Sequence, residues 1–68
     1  MGDFSISLAA VRVNKGYTQG EWAKALGVSK TTIMNWEKGK TPPKAEKLRE
    51  MSRLSGIPMD YIFFTSGN

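Results

Sequence analysis

Lys30, Thr31, Met34 and Asn35 fall within one short stretch whose apolar members, Ile33 and Trp36, stand three residues apart. Wound as a helix, the stretch turns Ile33 and Trp36 inward and leaves the other four on the opposite face. Three of those four can bond the edges of base pairs. A lysine ammonium donates to guanine O6 and N7, an asparagine amide matches adenine N6 and N7, and threonine offers a hydroxyl together with a methyl for thymine. Lys30, Thr31 and Asn35 are therefore the candidate base-reading residues, with Thr32 and Met34 as secondary candidates. An ordinary solvated helix face carries similar residue types, so the reading depends on the elements that position them.

Glycine and proline punctuate the chain at Lys15-Gly16, Leu26-Gly27, Lys38 to Pro43 and Ser55 to Pro58, each time where apolar periodicity stops. The five segments between them read as helices. The first, about Ser7 to Lys15, places Leu8, Val11 and Arg12 on one face. Thr18 caps a second helix that begins at Gln19, and Glu21 completes a capping box. Trp22, Ala23 and Leu26 form its inner face, Ala23 being small where the next helix must cross closely. Gly27 makes the turn, and Ser29 caps the third helix, Lys30 to about Glu37. A fourth begins after Pro43 and runs to about Ser55, with Ala45, Leu48 and Met51 inward and Lys47, Arg49, Glu50 and Arg53 toward water. A fifth, about Met59 to Phe63, returns Ile62 and Phe63 to the core. Phe4 to Leu8 alternates as a strand does but is too brief to pair alone. Two short helices meeting at Gly27 describe a helix-turn-helix over about 18–37, a unit that sets one helix into the DNA major groove.

The charge lies where that unit would use it. The 68 residues carry a net +4, made up of +1 over 1–17, +3 over 18–44 and zero over 45–68. A polyanion is drawn to the middle third, although the same charge also keeps a small protein soluble. Phosphate anchoring is expected from Thr18, Gln19 and the backbone N–H groups at the start of the second helix, and from Lys38, Lys40 and Lys44 in the following loop.

With 40% apolar and 24% charged residues, the chain can bury one small core and has no room for a second domain. The expectation is an all-α, compact five-helix bundle, a single domain over 1–68 with an ordered core of about 6–64. There is no cysteine and no histidine. No glycine-rich phosphate cradle or carboxylate cluster is present, which argues against an enzyme and against any cofactor or metal. No apolar run approaches the roughly 20 residues of a membrane span, and the start Met1-Gly2-Asp3 is unlike a signal peptide. A cytoplasmic, nucleoid-associated protein without membrane contact is expected.

The chain resembles the phage repressor and Cro family of helix-turn-helix domains, of the lambda repressor-like fold. The resemblance is carried by Leu8, Val11 and Arg12, by Tyr17-Thr18-Gln19, and by Ala23 with Leu26-Gly27-Val28-Ser29. It continues through Ile33, Trp36-Glu37-Lys38-Gly39-Lys40, Pro43 and Gly56-Ile57-Pro58-Met59-Asp60-Tyr61-Ile62. It departs at Trp22, where the family usually has leucine, at Ser55, where a large apolar residue is common, and at Gly20. It implies that Lys30, Thr31 and Asn35 occupy the principal base-reading positions, and that Arg12 and Glu37 form a structural ion pair. It implies also a repressor or Cro-like transcriptional regulator on a double-stranded, palindromic operator. The aromatic surplus near the last helix suggests a homodimer contact through Ile57, Tyr61 and Phe64, which sets the two reading helices about 34 Å apart. Trp22, Trp36, Tyr17 and Phe63-Phe64 could also stack on single strands, but their spacing favours core packing. The rival from another class is a protein-interaction module, an antitoxin or antirepressor-like adaptor with a regulatory protein partner at Tyr61, Phe63 and Phe64.

Overall fold

Hydroxyl side chains start three of the four α-helices in the computed structural model, which describes residues 6–63, Phe63 by its backbone alone. Ile6–Ser7 (β1) leads directly into Leu8–Asn14 (α1), where the Ser7 hydroxyl accepts from the Ala10 amide at 3.1 Å. Gln19–Leu26 (α2) opens on a capping box: Thr18 Oγ1 accepts the Glu21 amide at 3.1 Å while Glu21 Oε1 accepts the Thr18 amide at 2.9 Å. Lys30–Lys38 (α3) is entered through Ser29, whose Oγ accepts the Thr32 amide at 3.1 Å. Ala45–Ser55 (α4) follows the buried Pro43 and has no side-chain cap. One 3-10 turn at Met59–Tyr61 then passes into Ile62–Phe63 (β2).

The turn between α2 and α3 follows from Gly27. Its φ of 72° lies in the left-handed region that a Cβ disfavours. There the chain reverses so that Val28 N donates to the Ala23 carbonyl at 3.0 Å and Gly27 N to that of Lys24 at 3.3 Å. Two of the carbonyls that the helix end would otherwise leave open are thus satisfied, and Val28 is placed against the core.

Leu8, Val11, Trp22, Ala23, Leu26, Ile33, Trp36, Met51 and Ile62 make the core, with Leu48, Leu54 and Ile57 packed on its edge. The larger side chain at Trp22 fits, at 1% exposure, because the Tyr17 ring meets it edge-on with centroids 5.1 Å apart. Leu54 supplies apolar cover beside Ser55, whose hydroxyl accepts the Ile57 amide at 3.2 Å.

Several expectations need correction. The fifth helix is a single 3-10 turn, because Ile62 adopts extended backbone and pairs instead. Its partner is the segment expected to be too short to pair. Ile6 and Ser7 lie parallel to Ile62 and Phe63, so a small two-stranded sheet closes an otherwise helical fold. Four α-helices are present among the described residues, not five. Ala45 is exposed rather than inward, and α4 packs on the core through Leu48, Met51 and Leu54. Lys47 and Glu50 are half-buried rather than directed to water, because the Lys47 ammonium is drawn back onto the end of α2. Phe64, the last residue of the expected ordered core, lies outside the described residues, as does the side chain of Phe63.

Candidate nucleic-acid interface

α3 buries Ile33 at 1% exposure and Trp36 at 8%, and the opposite face is open. Lys30 and Thr31, at its N-terminal end, are exposed, and Met34 and Asn35 are half-buried beside them. The N-terminal end of the helix thus carries an exposed ammonium and hydroxyl, with a carboxamide one turn on. Thr32 stands apart from this set. Its hydroxyl is 2.9 Å from Ser29 Oγ and helps to cap the helix.

A polar network holds α3 by its other end. Arg12, in α1, donates Nε to Glu37 Oε2 at 2.7 Å and Nη2 to Glu37 Oε1 at 3.2 Å. Its Nη1 reaches the Tyr17 carbonyl at 2.9 Å. The two side chains are only 15% and 10% exposed, so the bidentate pairing forms where water screens little. Gln19 adds a third donor, Nε2 to Glu37 Oε1 at 3.1 Å. One carboxylate in the last turn of α3 therefore ties down α1, the loop at Tyr17 and the first residue of α2.

The residues named for phosphate contact divide by how much bonding capacity they retain. Thr18 Oγ1 accepts from Glu21, which leaves its hydroxyl proton to donate. The capping box consumes the Thr18 and Glu21 amides, so those of Gln19 and Gly20 have no acceptor among the described residues. Lys38, Lys40 and Lys44 are exposed and form no ion pair among the described residues. Of the residues named for a subunit contact, Ile57 is half-buried against the core and Tyr61 is 44% exposed.

Among the side-chain roles that escaped the sequence reading are the bond from Gln19 to Glu37 and the bond from Lys47 Nζ to the Leu26 carbonyl at 2.8 Å. The first had a signal, since Gln19 and Glu37 begin and end the unit that Arg12 also joins. The second had none, because its acceptor is a backbone atom.

A family model described as helix-turn-helix matches residues 8–62. The chain belongs to the helix-turn-helix family. The chain is 34% identical over 56 residues to the cryptic phage CTXphi transcriptional repressor RstR of Vibrio cholerae, covering 82% of this chain and 50% of that protein. It is 36% identical over 60 residues to the HTH-type transcriptional activator BcrR of Enterococcus faecalis, covering 88% of this chain and 29% of the activator. It is 30% identical over 59 residues to YonR of Bacillus subtilis (strain 168), an SPbeta prophage-derived uncharacterized HTH-type transcriptional regulator, covering 87% and 55%. The chain thus spans about half the length, or less, of these curated relatives. No solved structure gives a significant match. These three relatives are named as a transcriptional repressor, a transcriptional activator and a transcriptional regulator. No helix among the described residues is long and apolar enough to cross a membrane.

Proposed function

We propose that this chain binds double-stranded DNA sequence-specifically, with α3 in the major groove, as a transcriptional regulator of the repressor or Cro-like kind. The observation that carries this is the division of α3. Ile33 and Trp36 are buried, while Lys30 and Thr31 stand exposed at the end that a groove-entering helix presents first. Lys30, Thr31 and Asn35 read base edges, and Met34 supplies apolar contact. Thr32 sits at the margin, its hydroxyl shared with Ser29. Thr18, Gln19 and the free amides at the start of α2 grip one phosphate strand, and Lys38, Lys40 and Lys44 the other side of the groove.

The operator is palindromic and the chain acts on it as a homodimer, through Ile57, Tyr61 and Phe64 at the C-terminal end. The exposure of Tyr61 supports that arrangement. Work at an operator places the protein in the cytoplasm, at the nucleoid. No cofactor or catalysis enters this reading.

Selection of bound duplexes from a random pool tests it directly. The expected result is an enriched site with two inverted half-sites about one helical turn apart. Recovery of no motif, together with capture of a protein partner that needs no DNA, would favour the adaptor role instead.

A further inference from the structure

Leu26 is the last residue of α2, and its carbonyl is one of those a helix C-terminus leaves open. The glycine turn satisfies the carbonyls of Ala23 and Lys24. That of Leu26 is met from elsewhere: Lys47 in α4, 21 residues on, places Nζ 2.8 Å from it. A cation at this point also opposes the negative end of the helix dipole. Glu50, one turn further along α4, stands 3.6 Å from the same ammonium and pairs with it. The Lys47 side chain is 27% exposed, so the contact is partly shielded.

The position of this bond matters more than its strength. Gly27, Val28 and Ser29 are the covalent link between α2 and α3, and the direction in which the chain leaves Leu26 fixes where the N-terminus of α3 points. The Arg12–Glu37–Gln19 network secures the far end of α3 and leaves this near end to the turn. We propose that Lys47 is a positioning residue for DNA reading: by pinning the Leu26 carbonyl to α4 it fixes the angle at which Lys30 and Thr31 are presented, without itself touching DNA. This rests on the major-groove reading above.

Lys47→Met keeps the aliphatic stem and removes the donor, and Lys47→Arg restores a cation at nearly the same reach. Amide hydrogen exchange of Gly27 and Val28 reports the turn without DNA, and filter binding of the selected duplex over a salt series reports recognition. In Lys47→Met these amides should exchange about five- to tenfold faster, and affinity should fall by a similar factor at unchanged salt slope. Lys47→Arg should recover most of both.

Unaltered exchange at Gly27 and Val28 in Lys47→Met overturns the proposal. So does a salt slope reduced by about one, which makes Lys47 a phosphate contact. Faster exchange with unchanged affinity also overturns it, because the pin then has no bearing on recognition. If the unsubstituted chain binds no duplex at all, the base-reading role fails with it, and faster exchange then shows a turn pinned for stability alone.

Discussion

Gln19, the first residue of α2, donates its side-chain amide to Glu37 in the last turn of α3 at 3.1 Å, on the same carboxylate oxygen that receives Arg12 Nη2. The bond makes the start of one helix and the end of the next depend on a single carboxylate. A residue expected only to hold phosphate thus also builds the unit that is to be docked. One amide N–H bonded to Glu37 leaves Gln19 a second N–H and a carbonyl oxygen for DNA, already oriented.

Arg12→Met should therefore be severe. It removes two bonds to Glu37 and one to Tyr17, and it leaves a mostly buried carboxylate with Gln19 alone. The expected loss is about 3 to 5 kcal/mol in urea unfolding, followed by the fluorescence of Trp22 and Trp36. A loss no larger than that of an exposed substitution such as Lys24→Ala would mean that the pair contributes little.

Glycine-to-alanine changes at Gly20 and Gly27 should have opposite signs. A Cβ at either position meets nothing within 4 Å, so space does not distinguish them. Gly20 lies in the first turn of α2 at an ordinary helical angle, and Gly20→Ala should stabilise by up to about 1 kcal/mol. Gly27 has φ of 72°, and alanine there should cost about 1 to 2 kcal/mol from backbone strain alone. Thermal unfolding of the two variants is the measurement, and a shift in the same direction for both would contradict the assignment.

Lysines on the two sides of the proposed interface should separate by the kind of loss they produce. Lys40→Ala should lower the salt slope of binding by about one unit and leave base preference unchanged. Lys30→Ala should relax preference at one position of the half-site, worth about 1 to 3 kcal/mol against the wrong base. Binding to a panel of single-base operator variants at two salt concentrations distinguishes them. If Lys40→Ala altered preference, its place among phosphate contacts would be lost.

The helix-turn-helix was legible because its determinants are local. Thr18 with Glu21, Ser29 before Lys30, Gly27 at the turn, and Trp22, Ala23, Leu26, Ile33 and Trp36 on inner faces all declare themselves within a few residues. The pairing of Arg12 with Glu37 came from the family resemblance, since no periodicity links residues 25 apart. Lys47 was misread for a different reason. Among Glu46, Arg49, Glu50 and Arg53 it has the look of a solvated charge, and a carbonyl acceptor leaves no mark in a sequence. The strands were missed because two residues each are too few to establish a period, and their partners stand at opposite ends of the chain.

That pairing of the ends gives the last prediction. Ile62 is 8% exposed, lies in the core and stands opposite Ile6 in the parallel register, so its side chain packs where the beginning and end of the domain meet. Ile62→Ala should cost about 2 to 5 kcal/mol, as buried isoleucine truncations do. Ile62→Val keeps the β-branch and most of the volume, and should cost only about 0.5 to 1.5 kcal/mol. Had the segment been the expected helix, valine would add a propensity penalty and alanine would recover some stability as the better helix former. In extended backbone the preference runs the other way. A large gap between the two variants, measured by urea unfolding, reports the packed Ile62 side chain, and near-equal losses would mean that this side chain contributes little to the core.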